Sequence, residues 1–80
     1  MGREEFAEKI ENGRDILFEV AGKRFAIFTW MDDGIGIVER DVPGSEIQCF
    51  DSAEQLIDGF KVHDVPLAQL IRRVKITEYS

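Results

Sequence analysis

The sequence predicts an α+β fold: an antiparallel four-stranded meander, one N-terminal helix and two short C-terminal helices packed on the sheet. Three observations carry this. Short apolar segments separated by Gly-containing turns follow one another from Asp15 to Phe50. Residues 3–12 and 53–74 place apolar side chains at helical spacing. The run Phe25-Ala26-Ile27-Phe28-Thr29-Trp30 is apolar at odd and even positions alike, so as a strand it loads both faces of a sheet.

Each element has its own signature. In residues 3–12, Phe6 and Ile10 lie four apart on one helical face, and Asn12-Gly13 supplies a stop, since Gly tolerates the left-handed conformation. Asp15 to Val20 alternates, with Ile16, Phe18 and Val20 on one face. A turn at Ala21-Gly22-Lys23 leads to the second strand, Phe25 to Trp30. Asp33-Gly34 is a hairpin signal, because both residues accept positive φ. Ile35 to Arg40 makes the third strand. Val42-Pro43-Gly44-Ser45 has the Pro and Gly of a tight turn, and Glu46 to Phe50 makes a fourth, short strand.

The helix after it is the best specified. Asp51 is placed to cap it and Glu54 to reach back, while Ala53, Leu56, Ile57 and Phe60 form one apolar stripe. Pro66 opens a further helix beyond a connector at His63-Asp64-Val65, and Leu67, Leu70, Ile71 and Val74 repeat the spacing. Lys75 to Tyr79 has the composition of a short fifth strand at the edge.

Two-residue turns fix an expected register. A loop at Gly22-Lys23 pairs Val20 with Phe25 and Phe18 with Ile27, so Phe25 and Ile27 join the face of Ile16 and Phe18. A loop at Asp33-Gly34 pairs Trp30 with Ile37, which puts Phe28, Trp30, Ile35 and Ile37 on the opposite face. A slip of one residue inverts either assignment. Two C-terminal helices cover one face, and the thin N-terminal helix covers the other or leaves it open. An uncovered Phe28-Trp30-Ile37 patch is then an interaction surface.

Composition narrows the function classes. Eighty residues, 44% hydrophobic and 32% charged, make one globular domain of residues 1–80 with a small core. A shallow surface site fits that size better than a deep catalytic pocket. The single cysteine, Cys49, excludes an intramolecular disulfide and a multi-cysteine metal cluster, and is expected to be a buried structural thiol. No apolar run has the length of a signal peptide or a membrane span, so a cytoplasmic protein without membrane contact is expected.

The net charge of −6 is uneven: residues 31–60 carry −7 and the rest +1. Such a middle segment repels nucleic acid and admits a basic partner. The bases at Lys23-Arg24 and Arg72-Arg73 with Lys75 are small clusters, the latter placed to complement a helix C-terminus.

No motif carries catalysis. His63 beside Asp64 reads as a solvent-facing turn, and one His cannot build a zinc site without further ligands at defined spacing. Asp32-Asp33-Gly34 lacks the later oxygen ligands of a calcium loop, and Gly34-Ile35-Gly36 lacks the third glycine of a dinucleotide site. Neither a cofactor nor a metal is expected.

The expected function is therefore a non-catalytic protein-interaction domain. Phe28, Trp30 and Ile37 are the anchors, and Asp32, Asp33, Asp51, Glu54 and Asp58 the acidic surround. The alternatives are homo-oligomerisation through the same sheet face and an acidic inhibitor or immunity-type protein that neutralises a basic enzyme. A small enzyme using His63, Asp64 or Cys49 would require those residues to converge with Glu39 or Asp41 in one cleft.

Overall fold

A computed structural model describes residues 1–29 and 34–80, and among these the chain forms seven strands and three helical segments. Helix α1 spans Arg3–Asn12. Strands β1 (Asp15–Val20), β2 (Lys23–Phe28), β3 (Ile35–Glu39) and β4 (Gln48–Phe50) follow, then helix α2 (Ala53–Gly59). A small hairpin of β5 (Lys61–Val62) and β6 (Val65–Pro66), a 3-10 helix (Leu67–Arg73) and β7 (Lys75–Tyr79) complete it. The main sheet is antiparallel, in the order β4-β3-β2-β1-β7. The α+β class and the meander thus hold, with the final segment added beside β1 as a fifth strand.

The β1–β2 turn is Ala21-Gly22, with Val20 opposite Lys23. Both turn residues have positive φ, 53° and 78°, the requirement of the tightest hairpin. The register differs from the expected one by two residues, so every side chain keeps its face: Ile16, Phe18 and Val20 lie with Phe25 and Ile27. The β2–β3 ladder goes the other way. Ile27 pairs with Ile37 and Phe28 with Gly36, leaving an odd number of residues between the last paired positions. An odd connection inverts the faces relative to a two-residue turn. Ile37 therefore belongs with Ile27, not with Phe28.

All three helical segments lie on that one face. Phe6 of α1 meets Phe18 edge-on with ring centroids 5.6 Å apart, Phe18 stacks on Phe25 at 5.3 Å, and Phe60 closes the row edge-on against Phe25. Around them Ile10, Ile16, Ile27, Ile37, Leu56, Ile57 and Leu67 are wholly buried. Of the two expected placements of α1, covering the opposite face or leaving it open, the second is the one found. Its apolar stripe of Phe6, Ala7 and Ile10 joins the same core as α2, and Arg3 grips Asp58 of α2 through both guanidinium nitrogens, one contact at 2.7 Å.

Local details also differ. Gly13 ends α1 in extended backbone, φ −96°, and its need is space: a Cβ there would lie 3.0 Å from the Tyr79 ring. The α2 cap is Ser52 and not Asp51; its hydroxyl accepts from the Gln55 amide at 3.1 Å, while the Gln55 side chain accepts from the Asp51 amide. The stretch 67–73 winds as a 3-10 helix, and the connector before it forms the β5–β6 hairpin, whose turn residues His63 and Asp64 both have positive φ.

Candidate interaction surfaces

The second face of the sheet carries no helix among the described residues. Its side chains form three cross-strand rows. Cys49, Gly36, Phe28 and Asp15 make the first; Val38, Ala26, Leu17 and Glu78 the second; Arg40, Arg24, Glu19 and Lys75 the third. The first two rows are largely apolar and the third is charged. Leu17, Phe28 and Val38 are half-buried, and Leu17 and Val38 lie outside the contiguous hydrophobic core, whereas Ile35, Phe50 and Ile76 on the other face pack against it.

Of the sequence-predicted anchors, Phe28 lies on this face, Ile37 is wholly buried in the core, and Trp30 lies outside the described residues. Ile37 is thus a structural residue, for the register reason given above. Asp32 and Asp33 also fall outside the described residues. Asp51 precedes α2, and Glu54 and Asp58 sit on its exposed side. Because α2 buries Ala53, Leu56 and Ile57 against the helix-bearing face, its acids point away from the sheet. Apolar anchors and α2 carboxylates therefore occupy opposite sides of the molecule and cannot form one interface.

Pairing moves the ionisable groups of both Arg3 and Asp58 from their ordinary values. Hydrogen bonding to Arg3 holds the Asp58 carboxyl below the usual carboxylate range, and the same bond raises the guanidinium. Cys49 is exposed on the sheet's second face, contrary to its expected burial, because β4 is an edge strand with one neighbour.

On the helix-bearing side, a cleft of about 470 Å³ opens between the β5–β6 hairpin and the ends of β2 and β3. Its polar lining includes Lys23, Glu39, Ser45, Gln48 and His63 over a floor of Phe25 and Phe60. Lys23 and Glu39 form an ion pair at 3.3 Å. His63 and Glu39 thus share a cleft, but Asp64, Asp41 and Cys49 do not line it. No hydrogen bond joins His63 to Ser45 or Glu39, and no group of three or more metal-ligating side chains occurs among the described residues.

Sequence reasoning missed Leu17 and Val38 as surface residues. The signal for Leu17 was present: it sits out of phase between Asp15 and Glu19 in a strand whose inward positions are already filled by Ile16, Phe18 and Val20. It also missed that the chain brings Lys23-Arg24 and Arg73-Lys75 together. These residues, with Glu19, line a pocket of about 400 Å³ around the β1–β2 turn. No helix is long and apolar enough to cross a membrane among the described residues. Compared with known proteins, the chain matches no protein-family model, no curated protein and no solved structure.

Proposed function

We propose that this protein is a non-catalytic interaction domain that docks a partner protein on the second face of its sheet. The observation that carries this reading is the pair of half-buried side chains Leu17 and Val38, set on either side of the buried Ala26 in one cross-strand row, on strands whose opposite side packs against the helices. Apolar side chains outside the core cost stability in water unless another surface removes them from it. The charged row of Arg40, Arg24, Glu19 and Lys75 borders the patch and would act as its polar rim. The α2 acids would belong to a separate surface.

The test uses Leu17→Glu and Val38→Glu, substitutions at half-buried positions outside the core. Wild-type and variant proteins, each checked for cooperative unfolding, serve as bait and are run in light scattering over a range of concentrations. A partner or a dimer held by the wild type and lost by both variants supports the reading. Identical behaviour of folded wild type and variants removes it. Loss of a concentration-dependent dimer would identify the occupant as a second copy.

A further inference from the structure

We infer a second binding site, at the pole around the β1–β2 turn, that holds the carboxylates of an acidic polypeptide segment. Four cationic side chains from two distant parts of the chain, Lys23, Arg24, Arg73 and Lys75, line one pocket of about 400 Å³ there. The placement follows from topology. β7 lies beside β1 with Lys75 opposite Glu19, and Glu19 in turn faces Arg24 across the β1–β2 ladder. The C-terminus of the 3-10 helix thus delivers Arg73 to the turn between β1 and β2.

The charges at this pole are unequally matched. Lys23 is paired with Glu39, and Arg24 stands 4.0 Å from Glu19 and 3.8 Å from Asp41. Arg73 and Lys75 make no ion pair or side-chain hydrogen bond among the described residues. Complementing the end of the 3-10 helix accounts for a base at Arg72 or Arg73. It does not account for Lys75, on a different element, or for the shared pocket. In a chain of net charge −6, a local excess of unpaired cations around a concavity is the arrangement that recognises an anion.

The class of anion follows from what lines the pocket. Nucleic acid binding without sequence preference combines phosphate contacts with aromatic platforms for the bases. No aromatic side chain among the described residues lines this pocket, and Glu19 sits within it. The overall negative charge also opposes a polyphosphate backbone running beyond the site. A short acidic peptide escapes these objections, because it needs only two or three carboxylates over the cations and no stacking surface. The site is independent of the sheet-face reading.

Hexaglutamate, capped at both ends, tests it by amide chemical-shift titration of the full chain at low salt. Shifts confined to residues 19–24 and 73–75 are expected, with affinity falling at least tenfold once the ionic strength passes roughly 0.15 M, where the screening length is about 8 Å. Arg73→Glu with Lys75→Glu should weaken binding at least tenfold. Arg14→Glu with Lys61→Glu reverses two exposed charges outside this pocket and should preserve it. Absence of shifts, equal loss in both double variants, or tighter binding of a 15-nucleotide oligothymidylate would each overturn the inference. Each variant is first checked by its amide spectrum, and Arg73→Gln with Lys75→Gln replaces any charge reversal that disturbs folding.

Discussion

Ile37 and Val38 are adjacent, similar in size and on opposite faces, and they measure how the sheet divides its work. Ile37 is wholly buried among Ile27 and the helices, whereas Val38 is half-buried on the second face. Ile37→Ala should cost about 2–5 kcal/mol, because the deleted atoms lose both transfer free energy and packing partners. Val38→Ala should cost well under half of that. Urea unfolding of both variants measures the difference, and equal losses would mean that Val38 is core as well. The sequence could not have ranked these residues, since Ile35-Gly36-Ile37-Val38 carries apolar groups of both parities. It could rank β1, where Asp15 and Glu19 bracket the inward set. A strand's facing is legible only where charge marks one side. Gly34 is legible for another reason: its φ of +106° and the Phe50 carbonyl oxygen, 2.5 Å from where a Cβ would stand, leave room for glycine alone.

Among the elements, α1 is predicted as present, with its face of the sheet left open. Its two large apolar residues, Phe6 and Ile10, specify a buried stripe but not which face of the sheet receives it. The choice lies in contacts distant in sequence, Phe6 with Phe18 and Arg3 with Asp58. The second of these makes a pH-dependent prediction. Asp58 has a lowered folded pKa, so its contribution is present above the ordinary carboxylate value of about 3.9 and disappears as pH falls through the depressed one. Arg3, raised above its ordinary value by the same bond, stays charged throughout that window. Asp58→Asn should therefore lower the unfolding midpoint at pH 7 and cease to matter in strong acid. Denaturant melts between pH 7 and 2 check this. A gap that persists unchanged at the acid end would point to a cause other than the ion pair. The pair is solvent-exposed at both ends, so added salt should shrink its effect.

At the scale of the whole molecule, the charge asymmetry of the sequence acquires a geometry. The acids of α2 lie over the helical layer, the apolar patch lies on the other side of the sheet, and the bases of two separated segments meet at one end. Linear reading found the −7 segment and expected a basic partner. It could not see that bases far apart in the chain become neighbours once β7 takes its place beside β1. That strand also decides integrity. β7 supplies one complete side of the β1 ladder, and Ile76 packs on the core. Removing residues 75–80 should abolish cooperative unfolding, since a core of this size has a net margin of only about 3–5 kcal/mol. Far-UV circular dichroism with thermal melting would register the loss, and a truncated chain that still melts cooperatively would show β7 to be dispensable.

The position of β7 has a further consequence, for the order in which the protein can assemble during synthesis. β1 emerges early and finds β2 at once through a two-residue turn, but its other edge stays open until residues 75–79 have been made. Until β7 pairs with it, that edge of β1 presents a row of unpaired backbone amides and carbonyls, a template on which another chain can pair. When β7 arrives, it brings Arg73 and Lys75 to the turn in the same step. The cationic pocket is thus complete only once β7 is in place, and an acidic ligand bound there would hold the β1–β7 seam shut.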